Sequence, residues 1–503
     1  MHITVVGTGY VGLVSGVGFA DFGLNVTCVD CDEQKIHALR EGKIPIYEIG
    51  LEDMFRRNVR NDRLTFSDDL KAAVRRSLVI FIAVGTPEGP NGEPDLSQIE
   101  TVGRTLAECI DDYKVVVIKS TVPVGTGRWL RALIEENQKT KVKFDVVSNP
   151  EFLREGSAIE DFMRPNRVVI GVDSEHAAAI VKDIYRPLYL IETPFVITNP
   201  ETAELIKHAS NAFLATKISF INEVANLCEK VGADVNSLSR AMGLDYRIGP
   251  KFLHPGPGFG GSCFPKDTLA LARMGQKLGS RLRIVESVVE VNKRQRELVV
   301  RKVEQALEGL GRKRIGVLGL SFKPNTDDIR ESPAIFICRK LLEDQAQVQV
   351  YDPTSIPKAQ KLFNGESISY CNDPYEAASN ADALVIATEW NEFRNMDMEK
   401  IKSLMRTPIL FDTRNIFEPE KLESLGFKYF GTGRQPRTET PVHWALSGVL
   451  VAPTVPSHGD ESIEVGCSGW LAKLACKWAS APARVNESNL SLDRESLVKA
   501  FSK

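Results

Sequence analysis

No run of apolar residues in this chain approaches the ~18 positions needed to cross a bilayer, so no membrane span is expected. No charge sign dominates: 63 Lys and Arg against 66 Asp and Glu leave a net charge of −3, without the basic field that nucleic-acid binding requires. A disulfide framework is missing as well, because nine cysteines, an odd number and mostly far apart, read as reduced thiols of a cytoplasmic protein. The one C-x-x-C, Cys28 to Cys31, has no second pair and no histidine close by, so it reads as packing, and no metal is expected. Glycine breaks the apolar N-terminus at Gly7, which argues against a signal peptide. What is present suits a large soluble protein: 503 residues, 43% of them hydrophobic, can bury a sizeable core and make roughly three domains.

The N-terminus supplies the first positive signal. Ile3 to Val6 reads as a buried strand entering the turn Gly7-Thr8-Gly9-Tyr10-Val11-Gly12, and Leu13 to Ala20 reads as the helix that follows. In that context G-x-G-x-x-G is a dinucleotide fingerprint, completed by a second strand, Asn25 to Val29, that ends in Asp30. Gly7 gives the tight turn, Gly9 lets a pyrophosphate reach the backbone, and Gly12 lets helix and sheet pack closely. Asp30 is placed to accept hydrogen bonds from the adenosine ribose hydroxyls, and its charge would repel a 2′-phosphate, so the expected cofactor is NAD rather than NADP.

Further strands follow. Leu78 to Val84 and Val115 to Ile118 are continuous apolar runs, as a parallel sheet covered on both faces requires. Each leads into a short polar turn, Gly85-Thr86-Pro87 and Ser120-Thr121-Val122-Pro123, where ligands of open α/β sheets bind. Asp145 to Ser148 feeds a loop carrying Glu151 and Glu155. Glu204 to Glu229 reads as a long helix with an approximate apolar stripe of Leu205, Phe213, Phe220, Val224 and Leu227. Lys207 and Asn211, four residues apart, share one of its faces. A second helix, Leu282 to Leu307, can pair with it in a central helical domain or a dimer seam. From Arg314 the α/β pattern repeats, with strands to Leu320, Val348 to Asp352, Ala383 to Ala387 and Ile409 to Asp412. There the fingerprint is broken, Ser321 and Pro324 standing where glycines would fall. Lys323 and Arg330 lie in the charged loop that follows, able to meet phosphates or simply to pair with its own acids. Ser332 and Pro333 fit the N-cap and first position of the next helix.

One cysteine stands apart from the other eight. Cys263 follows Gly256, Gly258, Gly260 and Gly261, which let backbone approach a bulky ligand, and precedes Pro265 and the helix-forming run Thr268 to Met274. At a helix N-terminus the free amides and the dipole favour an anion, so a lowered thiol pKa is expected.

Taken in order, Gly7 to Gly12, the Gly85-Thr86-Pro87 and Ser120-Thr121-Val122-Pro123 turns, Pro150 to Gly156, Lys207 to Asn211, Phe252 to Asp267, and Lys323 with Arg330 resemble the nucleotide-sugar dehydrogenases, the UDP-glucose/GDP-mannose dehydrogenase family, over residues 1 to about 433. The stretch from Phe252 to Asp267 is similar to the branch acting on UDP-glucose. The GDP-mannose and UDP-N-acetylhexosamine branches are the alternatives. The resemblance implies oxidation of a C6 alcohol to a carboxylate with two NAD reduced. Cys263 would hold the intermediate aldehyde as a thiohemiacetal and then as a thioester. It further implies that Lys207 and Asn211 stabilise the developing oxyanion. Glu151, Glu155 and Asp267 become the candidate bases, and Thr121 helps to hold a water. Lys35, Thr86, Thr121, Glu155, Lys266, Arg330, Tyr10 and Val11 would lie near NAD. The loop Glu151, Phe152, Leu153, Arg154 and Glu155 would hold the sugar nucleotide, with Phe252, Leu253, His254, Pro255, Gly256, Gly260 and Lys323. Arg247 would reach in from a neighbouring subunit, making a homodimer or larger homo-oligomer. A silent NAD-binding sensor needs none of Cys263, Lys207, Asn211 and Asp267, and a two-electron hydroxyacid dehydrogenase needs no thiol.

The expected fold is α/β: two doubly wound Rossmann-like domains joined by a central helical region. Residues 1–200 form the NAD domain, 201–310 the central helices, 311–433 the sugar-nucleotide domain, and 434–503 an extension. The extension holds Trp444, Trp470 and Trp478, and Trp470, Leu471, Leu474 and Trp478 would share one helical face. Such a face suits docking on a partner or an anionic membrane surface; the alternative expectation is a poorly ordered extension or one packed loosely on the last domain.

Overall fold

The computed structural model describes residues 1–89 and 92–434. The extension and its three tryptophans lie outside the described residues. Eight strands, β1 (His2–Val6), β2 (Asn25–Val29), β3 (Leu64–Ser67), β4 (Val79–Ile82), β5 (Lys114–Ile118), β6 (Phe144–Ser148), β7 (Val168–Gly171) and β8 (Phe195–Thr198), form a sheet ordered β3-β2-β1-β4-β5-β6-β7-β8. Six more, β9 (Arg314–Leu318), β10 (Gln347–Tyr351), β11 (Ile368–Tyr370), β12 (Ala383–Ile386), β13 (Ile409–Asp412) and β14 (Lys428–Gly431), form a second sheet ordered β11-β10-β9-β12-β13-β14. Every pairing is parallel except that of β6 with β7.

Both sheets are doubly wound, and the chain reverses direction beside β1 and beside β9, which opens a crevice at the carboxyl ends of the strands. The continuous apolar runs are explained by cover on both faces. Val5, Phe81 and Val117 pack into one core with the helix Tyr10–Asp21, whereas Val6, Ile80, Ile82 and Val116 pack into another on the opposite face.

Between the sheets runs a helix of 32 residues, Pro200–Val231. It begins before Glu204 because Asn199 caps it, accepting from the Thr202 amide, and Pro200 presets its first turn; it stops at Gly232, which is left-handed at φ +72. The apolar stripe turns outward: Phe213 is 66% exposed, Phe220 49% and Leu227 58%. The buried face is small and polar instead, with Lys207, Asn211, Ala215, Ser219, Asn222 and Ala225. A second helix, Arg283–Leu307, packs along it, with Asn226 donating to Gln295 (2.9 Å) and Lys302 paired with Glu229.

The two sheets treat the acid after their second strand differently. Asp30, after β2, accepts from the backbone and hydroxyl of Thr8 (2.8 and 2.7 Å), the Lys35 ammonium (3.0 Å) and the Asp32 amide (3.2 Å). Asp352, after β10, is 2% exposed and takes the amides of Leu320, Ser321, Thr354 and Ser355, the hydroxyls of Ser321 and Thr354, and the Trp390 indole. A carboxylate has about four lone-pair sites, so Asp352 is saturated by its own domain. It cannot hold a ribose there.

Candidate active site

The N-terminal crevice fits a dinucleotide. Gly7 is left-handed (φ +97), and a side chain there would meet the Ala83 carbonyl at 2.7 Å; one on Gly12 would meet the Gly7 carbonyl at 1.8 Å. Gly9 is different: a side chain there would enter open space. Gly9 also caps the helix Tyr10–Asp21 without a side-chain hydrogen bond, so its first amides are free for a pyrophosphate. Packing within the fold therefore places no demand for glycine at position 9. Burial would raise the Asp30 carboxyl, but the hydrogen bonds from Thr8 and Lys35 outweigh it and hold it down to about 2, a permanent anion. Tyr10 turns its hydroxyl onto Glu48, whose carboxylate also accepts from the amides of Gly156 and Ala158. Val11 is partly buried, and the Thr86 hydroxyl donates to the Thr121 carbonyl (2.8 Å), tying the two polar turns together.

Glycines also mark where the central helices and the second sheet close on this crevice. Side chains on Gly156, Gly260 and Gly261 would meet Asn325 O at 2.5 Å, Glu331 O at 2.3 Å and the Phe322 ring at 2.8 Å. Close backbone approach thus welds the loop 150–156, the cysteine loop and the loop 321–333 into one site.

At its centre Cys263 is the N-cap of the helix Phe264–Lys277, and Pro265 falls at the second helical position. Lys207 and Glu151 form an ion pair of 2.9 Å, both side chains about 5% exposed or less. Burial lowers the Lys207 ammonium, but Glu151, Cys263 and Asp267 outweigh it and raise its pKa. Asn211 donates to Asp267 (2.6 Å), which Lys266 also approaches at 3.1 Å. The thiol departs from the sequence expectation. Cys263 is partly buried, and burial pushes its thiol up to about 11; Lys207 opposes this, while Glu151 and Asp267 add to it. Desolvation and two carboxylates therefore outweigh Lys207 and the Ser262 hydroxyl, and the resting sulfur carries its proton.

Glu155 sits on the other side of the cysteine. It accepts from Ser262 (3.2 Å), Thr326 (3.3 Å) and Arg330 (3.4 Å). Burial raises its carboxyl to about 7 with help from Asp328, against Arg330 and Lys323. Lys323 is lowered by burial, with Glu155 opposing.

Other expected site residues take varied positions. Phe152 lies under the Arg167 guanidinium (3.5 Å to the ring centroid), with the Lys207 ammonium at 5.4 Å. Phe252 is left-handed (φ +63) and packs near Phe264, Leu253 is buried against the central helices, and His254 is exposed. Pro255 is buried; Gly256 is fixed by Asn222 (2.8 Å) and Gln295 (2.9 Å). Arg154 turns to Asp161, and Arg247 lies on the surface paired with Asp245, so neither side chain is committed to this chain's own crevice. Three residues at the site had no expectation attached. Arg414 follows β13 and lies against Gly256; Ser262 touches both Cys263 and Glu155. Glu204, buried at the start of the long helix, accepts from the amides of Gly125 and Gly127 (2.7 and 2.9 Å) and from Ser148 (2.9 Å), holding the Thr121 turn.

Comparison with known proteins adds three domain models. The NAD-binding domain of the UDP-glucose/GDP-mannose dehydrogenase family matches residues 1–189, its central domain 201–294 and its UDP-binding domain 316–419. The chain is similar to a UDP-glucose 6-dehydrogenase of Rhizobium meliloti (54% identical, covering 86% of this chain and 100% of the relative). It is also similar to one of Bacillus subtilis (48%, covering 86% and 93%). Among solved structures, a UDP-glucose dehydrogenase from Pyrobaculum islandicum superposes with a TM-score of 0.80 at 42% identity, covering 86% of this chain and 98% of that one.

Proposed function

The chain belongs to the UDP-glucose/GDP-mannose dehydrogenase family, and on that premise we propose that it carries UDP-glucose through two oxidations to UDP-glucuronate on the sulfur of Cys263. Its activity is the NAD-dependent oxidation of UDP-glucose. The carrying observation is the convergence of the Cys263 thiol, the buried Lys207–Glu151 pair and the Asn211–Asp267 pair beside the dinucleotide crevice.

NAD supplies the hydride acceptor for each oxidation. Gly7, Gly9 and Gly12 with Asp30 and Lys35 would hold it, and Thr86, Thr121, Lys266 and Arg330 would border it. The first oxidation leaves an aldehyde at C6. The Cys263 sulfur then bonds to C6 as the carbonyl π pair moves to oxygen, and the Lys207 ammonium and the Asn211 amide meet that charge. After the second oxidation the carbon is a thioester, which water hydrolyses. Glu151, Glu155 and Asp267 are the carboxylates within the cluster able to take the water's proton, with Thr121 to help hold it. Lys323 and the loops around Glu151 and Phe252 would hold the nucleotide, leaving residues 1–200 for NAD, 201–310 for assembly and 311–433 for the sugar nucleotide.

Assembly is part of the proposal. Phe213, Phe220 and Leu227 recur every seven residues on the outer face of the long helix, and exposed Leu244 and Tyr246 stand beside Arg247. A homodimer through that face buries the apolar stripe and can deliver Arg247 to the neighbour's site. The catalytic reading is tested by acid-quenching enzyme with UDP-glucose and NAD and weighing the peptide that contains Cys263. A UDP-glucuronyl adduct on Cys263 is expected; an unmodified peptide throughout turnover would count against it.

A further inference from the structure

The resting thiol must lose a proton as it attacks, and the cluster leaves it few exits. Glu151 is committed to Lys207 (2.9 Å) and to the Leu153 amide (2.5 Å), while Asp267 accepts from Asn211 through Oδ2 and keeps Oδ1 3.1 Å from the Lys266 ammonium without a hydrogen bond. Neither is hydrogen-bonded to the sulfur. Among the described residues the thiol's hydrogen-bond partner is the Ser262 hydroxyl, 3.6 Å away. That hydroxyl in turn donates to Glu155 Oε1 at 3.2 Å. With the Ser262 hydrogen directed at Glu155, its oxygen is left to accept from the thiol, so thiol, hydroxyl and carboxylate can form one donor chain.

We propose that Ser262 is a catalytic residue, a relay that passes the Cys263 proton to Glu155 as the sulfur attacks the aldehyde. The proposal rests on the cysteine reading above. In the step the Sγ–C6 bond forms, the C6–O π pair becomes an oxyanion facing Lys207 and Asn211, the thiol proton moves to Ser262 Oγ, and the Ser262 proton moves to Glu155 Oε1. Charge is conserved, one anion being lost at Glu155 and one gained at the sugar oxygen. No oxidant is involved. Glu155 suits the acceptor's part because its carboxyl, raised to about 7, is ionised in part at neutral pH and basic enough to keep the proton. Asp328, Arg330 and Lys323 face it from the second sheet's loop, and Cys263 is faced by Lys207, Glu151 and Asp267. Arg330 and Asp328 also form an ion pair, which keeps one cation and one anion beside Glu155.

The test uses the full-length enzyme and its Ser262→Ala and Ser262→Thr variants. Alkylation of Cys263 by iodoacetamide is followed by mass spectrometry of its peptide between about pH 6 and about pH 9, with kcat for UDP-glucose oxidation measured in parallel. In the unaltered enzyme the alkylation rate should show an inflection near that of Glu155. In Ser262→Ala that inflection should vanish, with alkylation and kcat near pH 7 both falling at least about tenfold, while Ser262→Thr, which keeps the hydroxyl, restores both. An unchanged pH profile and kcat in Ser262→Ala overturns the relay. So does a threonine variant as impaired as the alanine one with an unaltered melting temperature. Failure of the cysteine reading itself looks different: Cys263→Ala would still turn UDP-glucose over to the carboxylate.

Discussion

Replacing Lys207 by alanine removes a cation from a place where its partner cannot reach water. The pair spans 2.9 Å with both side chains about 5% exposed or less, so the surviving Glu151 carboxylate is left buried and uncompensated. Breaking a buried pair on one side costs about 3–5 kcal/mol, which in a protein of this size lowers the melting temperature by roughly 3–5 °C. The lysine's raised pKa means that this stabilisation is complete below its unfolded value near 10.5 and fades only as pH rises through the folded value, so neutral buffer reports it in full. Lys207→Met combined with Glu151→Gln removes both charges and should recover most of the lost stability. Activity should not recover. Losing an oxyanion donor costs about 10²–10³ in kcat, and neither methionine nor glutamine replaces the ammonium. Calorimetry and steady-state kinetics on the two single variants and the double separate these effects. A Lys207→Ala enzyme that melts with the unaltered protein, or a double variant no more stable than the singles, would refute the reasoning.

Three further outcomes are expected. Gly9→Ala should fold normally, since its added methyl meets nothing within 4 Å, yet bind NAD at least about tenfold more weakly by calorimetric titration; Gly12→Ala, facing the Gly7 carbonyl at 1.8 Å, should lose solubility or melting temperature instead. Asp30→Ala should lower the ratio of NADP to NAD dissociation constants, because the anion held down to about 2 no longer repels a 2′-phosphate; an unchanged ratio would contradict its assignment. Glu155 binds its proton more tightly folded than unfolded, so its contribution is present below about pH 4.5 and is lost as pH rises through about 7, worth up to about 3 kcal/mol. Glu155→Gln should flatten that decline in denaturant titrations and leave the variant the more stable protein at pH 8, though a poor catalyst.

Periodicity and turn chemistry made the two sheets legible. Continuous apolar runs such as Val79 to Ile82 have no reason to exist unless both faces are covered, and Ser332-Pro333 caps its helix as read. The long helix was legible in extent but not in facing: its aromatic stripe points outward because the inner face is taken by Lys207, Asn211 and Asn222, whose partners come from distant segments. The same long range hid the cysteine's true environment. A helix terminus can be read from Pro265, but the desolvation comes from the folded surroundings, and of the two carboxylates that raise the thiol Asp267 is four positions away while Glu151 is more than a hundred. Arg414, Ser262 and Glu204 carried no local pattern at all; only the folded chain brings Glu204 to the Gly125 turn and Ser262 to Glu155.

Counting NADH formed per UDP-glucose consumed, in the unaltered enzyme and in Cys263→Ala, bears most directly on the claim that one sulfur keeps the half-oxidised sugar in place. Two per sugar in the first and a collapse of that yield in the second is the predicted pair of results. A single NADH with free aldehyde from the unaltered enzyme, or an undiminished two from the alanine variant, would contradict it.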